Sequence, residues 1–346
     1  MSSTPADRSP GQDRLPRQAG RVSWSVPPLA VFAGRRLLRG IVTVWFAVTV
    51  TFLLLRLLPG NPALAVASPQ MPPALRTSLL REYGLNQPLV VQYVKYLGQL
   101  LHGNLGVSFA QRENVTTVLG QELPWTLLLM GCSMVLTLII GVPLGVAAAR
   151  RQGSLLDRGL QVMSVASGAL FVPSAGILLL FVFGVWLRWL PIGGAYTTGA
   201  YGTAWYLSVA EHLVLPAFSL VMVQIGSYVF TLRSTLIGAL REDYADLARS
   251  KGARERRVVW KHALRNALLP VTTLAGLQLG FLVGGAVLTE TIYAYPGIAR
   301  GIYTAVTQED YPVLQGAFLL LAISVVAANF LTDMAYGLLD PRVRTP

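Results

Sequence analysis

Glu242-Asp243-Tyr244-Ala245-Asp246-Leu247-Ala248-Arg249-Ser250-Lys251-Gly252, continued by Ala253-Arg254-Glu255-Arg256-Arg257-Val258-Val259-Trp260-Lys261-His262-Ala263-Leu264-Arg265-Asn266-Ala267-Leu268-Leu269-Pro270, is a charged island between two apolar stretches. Tyr244, Leu247, Ala248 and Lys251 recur at i, i+3, i+4 and i+7, which puts them on one helical face. Gly252 follows where a helix stops or turns sharply. Ala248 and Gly252 leave this face shallow, so a short helix of low relief fits the groove of another protein. The basic stretch after it (Arg254, Arg256, Arg257, Lys261, Arg265) leads into the apolar segment at Leu268, and a push on the helix moves that segment. A lipid-bound loop satisfies the same composition, because Lys and Arg beside a membrane are drawn to anionic headgroups by about 1 kcal/mol each.

The island lies in a chain that is 53% hydrophobic and only 13% charged, with a mean hydropathy of +0.53. That balance belongs to integral membrane proteins. Residues 40–55, 123–149, 159–187, 212–232, 266–289 and 311–332 contain no Asp, Glu, Lys or Arg. All but the first exceed the ~20 residues that cross hydrocarbon as a helix; the first continues through Arg56, whose head can snorkel outward. These intervals predict an all-α polytopic protein with six transmembrane helices, at about 40–58, 123–149, 160–187, 213–232, 268–289 and 313–336. Residues 189–210 are also uncharged, but Pro191 and the glycines and tyrosines around it predict an interfacial loop. Residues 1–34 read as a disordered tail, the stretch to 27 being rich in Ser, Pro, Arg and Gln without an apolar core.

Of the 28 Lys and Arg, 21 fall in the tail, the loop at 150–158, the loop 233–267 and the C-terminus, against six on the other side. The positive-inside bias therefore predicts cytoplasmic termini. It also accounts for the net charge of +12 without a nucleic-acid partner. Pro143, Pro173, Pro216 and Pro270 lie in or at the start of spans and permit kinks. In the outer loop, 59–122, residues 74–83 predict a short helix ended by Gly84. A second begins after Pro88, with Leu89, Tyr93, Tyr96, Leu97 and Leu100 on one face and Gly103 beyond it.

The island resembles the cytoplasmic "EAA" loop of ABC importer permeases, in the dipeptide, oligopeptide and nickel subgroup, through Asp243-Tyr244, Ala248-Arg249, Lys251-Gly252, Val258 and His262 to Pro270. Of the general Glu-Ala-Ala pattern only Ala248 and Gly252 match, since Asp246-Leu247-Ala248 stands in its place. The resemblance extends in collinear order from about residue 35 to 344. It takes in Leu58-Pro59-Gly60-Asn61-Pro62, Tyr83-Gly84-Leu85, Gly103-Asn104-Leu105-Gly106 with Ser108, Thr289-Glu290 with Tyr295-Pro296-Gly297 and Arg300, Asp310-Tyr311-Pro312, and Leu338-Leu339-Asp340-Pro341-Arg342. Asn61 and Asn104 stand where the family has aspartate, Tyr293 where it has phenylalanine, and Ala299 where it has glycine.

The resemblance implies a type I ABC importer permease-like fold over 35–346, in a bacterial-type plasma membrane. The partners it implies are a homologous second permease, two ATPase domains that dock on the loop 233–267, and an extracytoplasmic binding protein that delivers a peptide. It implies coupling to the ATPase through Tyr244, Asp246, Leu247, Ala248, Lys251, Gly252 and Ala253, and a translocation path or gate at Glu290, Tyr295, Pro296, Gly297 and Arg300. No G-x-x-x-x-G-K-[ST] motif occurs, so ATP and Mg are expected on partner chains and no cofactor, metal or catalytic residue on this one. His102, His212 and His262 are too dispersed along the topology to share a metal, and Cys132 is alone. A nickel importer of the same subgroup is the alternative. An ion-coupled carrier is the rival class, and would need inverted repeats and midplane acids.

Overall fold

The computed structural model describes residues 29–57 and 87–339. The expected helix at 74–83 lies outside them. Helices α1 (Leu29–Leu57), α2 (Leu89–Leu101), α3 (Val115–Arg150), α4 (Leu155–Ala169) and α5 (Val172–Leu179) form the first half. The second half consists of α6 (Thr203–Ala239), the short α7 (Asp243–Ser250), α8 (Leu264–Ile292), α9 (Ile298–Thr307) and α10 (Tyr311–Leu339). Among the described residues the one extended pairing is an isolated bridge between Val107 and Asn114.

Among the described residues, four helices are long and apolar enough to cross a bilayer, and they overlap the first, second, fourth and sixth expected spans. The helix α8, 29 residues long, matches the fifth. α1 opens at Leu29, inside the expected tail, because Leu29-Ala30-Val31-Phe32 directly follows a Pro-Pro pair from which a helix can start. α3 and α6 run to 36 and 37 residues, well beyond the charge-free intervals. A helix ends at its caps and not at the first charge, so the turns bearing Glu122 and Glu211 extend past the apolar slab.

The third expected span, 160–187, is the correction. It is two helices, α4 and the segment Val172–Trp186, bent by 103° at a short break. Leu170 and Phe171 are extended, with ψ near 128° and 120°. Pro173 has no N–H to continue the α4 ladder, and its ring disfavours helical geometry just before it, so the chain restarts there with the proline in a first-turn position. The last turns of this segment, Leu180–Trp186, are π-wound.

Among the described residues, four apolar clusters join the helices, the smallest being Val221, Ile225 and Val229 of α6 against Leu160 and Met163 of α4. Leu129, Leu215, Leu220 and Tyr293 pack α3, α6 and the end of α8. Val146, Leu232, Leu236, Val259, Ala263 and Val271 pack the opposite end of the same helices. Leu55, Val115, Leu119, Ile298, Val313 and Leu314 join α1, α3, α9 and α10. α4 meets α6 backbone to backbone: a Cβ at Gly226 would overlap Ser167 Oγ and lie 2.7 Å from Ser164 Cα. Small residues give membrane helices this close approach, where packing rather than water exclusion drives association.

Candidate functional site

The bundle has two ends, and each carries buried or braced polar groups. At the end that holds α7, Asp243-Tyr244-Ala245 starts the helix with acids in its first turn, which favour the positive helix N-terminus. Ala245 is completely buried and seats the helix on the chain. Two residues on, Leu247 faces outward, 55% exposed. Tyr244 and Ala248 are half-buried, whereas Asp246 and Lys251 are exposed.

Gly252 follows with φ +77°, and Ala253, half-buried, donates its N–H to Ala248 O at 3.1 Å. That closes the helix in the left-handed turn expected of the glycine. A Cβ at Gly252 would meet nothing within 4 Å, so the position needs glycine for its backbone angle and not for space. The chain then re-enters helix at Glu255–Arg257 and winds through a π-turn, Val258–Ala263, into α8.

Arg249 braces this corner. Its guanidinium donates to Asp246 Oδ1 at 2.7 Å, to Glu255 Oε1 and Oε2 at 3.1 and 3.2 Å, and to the Leu240 carbonyl at 3.1 Å. One side chain thus ties together the end of α6, the helix α7 and the start of the run into α8. The guanidinium holds the Glu255 carboxyl below its ordinary range. Nearby, Arg233 of α6 grips the buried Asp157 of α4 with Nε to Oδ1 at 2.5 Å and Nη2 to Oδ2 at 2.8 Å. Gly153 N–H donates to the same carboxylate, and Ser154 Oγ accepts from Asp157 N–H. Arg249 was visible in the sequence only as a motif match. Asp157 had one local signal, the helix-start spacing Ser154-x-x-Asp157.

At the opposite end, Glu290 is completely buried near the close of α8. Its carboxyl accepts from the Thr126 hydroxyl at 2.8 Å and from the Arg300 N–H at 3.0 Å. Thr126 Oγ in turn accepts from Ile298 N–H at 2.9 Å. Glu290 O takes Tyr295 N–H at 2.8 Å, and Arg300 Nη1 donates to Ala294 O at 2.6 Å. Gly297 has φ −102°, which any residue can adopt; a Cβ there would instead overlap the Glu290 carboxyl. Tyr295 is fully buried, edge-on to Trp125 at 6.0 Å. Glu290, Tyr295, Pro296, Gly297 and Arg300 are therefore one assembly, as expected of neighbours in sequence. Thr126, its partner from α3, left no sequence signal.

The same end contains a clamp between two motifs far apart in the chain. Ser108 donates its hydroxyl to Asp310 Oδ2 at 2.5 Å across 202 residues, and the N–H groups of Phe109 and Ala110 reach the same carboxylate at 3.2 and 3.1 Å. Asp310 is 1% exposed. Asp310→Ala is expected to strand these donors at about 1–3 kcal/mol each when no water replaces the acid. It should make the segment 103–114 the first site of limited proteolysis; a digestion pattern identical to wild type would show that the clamp holds nothing.

Residues 141–345 match the family described as "Binding-protein-dependent transport system inner membrane component", and residues 29–130 match its N-terminal counterpart. The di/tripeptide transport system permease protein DppB of Pseudomonas aeruginosa is 38% identical over 330 residues, covering 90% of this chain and 98% of that protein. The oligopeptide transport system permease protein AppB of Bacillus subtilis is 35% identical, covering 91% and 99% respectively. Among solved structures, an inward-facing MetNI methionine ABC transporter chain superposes with a TM-score of 0.53 at 17% identity, covering 64% of this chain and 96% of that one.

Proposed function

Because the chain belongs to the family of inner membrane components of binding-protein-dependent transport systems, we propose that it is the permease subunit of an ATP-driven importer of di- or oligopeptides. The observation that carries this reading is the geometry of α7. It is a short helix seated through Ala245, braced by Arg249 and packed on the π-turn that begins α8, with Leu247 presented outward. In this reading α7 enters a groove on an ATPase domain and burial of Leu247 anchors it, at about 1.5–3 kcal/mol for a fully buried leucine. Movement of the ATPase domains is transmitted through the braced corner to α6 and α8.

The peptide-transport names of the relatives support a peptide cargo over nickel. A second permease would complete the pathway, two ATPase domains would supply ATP and Mg, and a binding protein would deliver substrate at the Glu290 end. The distribution of Lys and Arg supports placing the α7 end and both termini in the cytoplasm. The chain itself carries out no covalent step.

The test is to purify the tagged chain from native membranes, identify what accompanies it, and reconstitute it with and without those partners. Expected are a co-purifying ATPase, peptide-stimulated ATP hydrolysis and ATP-dependent uptake of a labelled dipeptide by the assembly. The chain alone is expected to do neither. Uptake driven by an ion gradient through the chain alone would overturn the reading in favour of a secondary carrier.

A further inference from the structure

At the Glu290 end, a cleft of about 230 Å³ lies between the start of α3, α9 and the start of α10. Gln111, Glu122, Arg300, Gly301, Thr304 and Gln308 line it. Glu122 Oε2 is enclosed by protein and has no hydrogen-bond partner among the described residues. An enclosed carboxyl oxygen without a donor is costly, yet the surroundings are built tightly around it: a Cβ at Gly301 would overlap the Glu122 carboxyl. Glycine at 301 is what lets α9 approach the acid.

Arg300, on the same cleft, is fixed by its bond to Ala294 O and forms no ion pair with Glu122 among the described residues. The other acid of the lining, Asp310, is already saturated by Ser108, Phe109 and Ala110. One carboxyl and one guanidinium thus share a small cleft without joining, each held by separate elements.

We infer that this cleft binds a small zwitterion, an amino acid or a dipeptide with both termini free, with its ammonium on the Glu122 carboxyl and its carboxylate on the Arg300 guanidinium. Gln111, Thr304 and Gln308 supply neutral polar contacts to the atoms between. Charged donors and acceptors at both ends give short, strong bonds and read both termini at once. The volume is below the ~300–1,000 Å³ usual for small-molecule sites, which restricts the ligand to one or two short residues. As a substrate site this deepens the peptide reading of the preceding subsection and rests on it; as a zwitterion site it stands on the cleft alone.

The full-length chain in lipid nanodiscs is titrated by calorimetry with dialanine, N-acetyl-dialanine and dialanine amide. Dialanine is expected to bind, and capping either terminus to weaken binding by about tenfold or more, the worth of one charge-assisted bond. Glu122→Gln is expected to erase the discrimination against N-acetylation while keeping that against the amide. Absence of dialanine binding to the wild type, equal binding of the capped forms, or unchanged discrimination by Glu122→Gln would each overturn the site. No arm requires transport. Dialanine binding without peptide uptake by the assembled system would retain the site and remove the importer reading, whereas uptake without binding would do the reverse.

Discussion

Glu290→Ala is expected to destabilise the protein by about 3 kcal/mol or more, the range in which a buried hydrogen-bonding centre is lost outright. The carboxyl accepts from the Thr126 hydroxyl and the Arg300 N–H, and the Ala299 N–H is a further donor to it. The methyl group of alanine accepts none of these bonds, and at 0% exposure water has no ready route in to replace them. Glu290→Gln should lie between the two, since one oxygen remains for Thr126 while an NH2 group is turned toward backbone donors. Gly297→Ala should also destabilise, from the other side, by driving a methyl group into the carboxyl. Thermal unfolding of the detergent-purified variants reads all three, and an alanine variant that melts with the wild type would show that the acid is dispensable to the turn 293–300.

For transport the largest losses are expected at α7. Ala248→Arg places a long charged side chain on the shallow face, and Gly252→Val forces a β-branched residue into φ +77°. L-residues pay about 1–2 kcal/mol for left-handed geometry, and more when branched at Cβ. Because nothing lies within 4 Å of a Cβ at Gly252, that cost falls on the turn alone and not on the core. Both variants should therefore insert and accumulate normally, yet abolish ATP-dependent peptide uptake and either release the ATPase or leave its hydrolysis insensitive to peptide. Arg249→Ala should resemble them with a smaller loss, since it frees the brace without altering the face proposed to dock. Arg256→Gln, at an exposed position outside the Arg249 brace, should be mild. Wild-type uptake by both Ala248→Arg and Gly252→Val at wild-type expression would reduce the loop to a lipid anchor.

Local order in the sequence determined what local physics controls. Apolar runs located the long helices but not the break in the third expected span, the i, i+3, i+4, i+7 face and Gly252 placed α7 and its turn, and Pro88 and Gly103 bracketed α2. Each depends on helical period, capping or backbone freedom within a few residues. Pro173 marked a permitted kink, but only the structure turned it into a 103° break, because the angle is set by what α4 and Val172–Trp186 pack against.

Long-range partnerships were decided by tertiary structure alone. Ser108 and Asp310 lie in two separate motifs, and nothing in their spacing says that one carboxylate holds the other segment. Thr126 is an ordinary hydroxyl in an apolar run until α3 brings it to Glu290. At Gly297 and Gly301 the Glu290 and Glu122 carboxyls occupy the space a side chain would take, which the sequence order does not reveal. Helix spacing fixes which residues share a face. Which faces meet, and whether Glu122 is left facing Arg300 across a cleft, follows only once all the helices have packed.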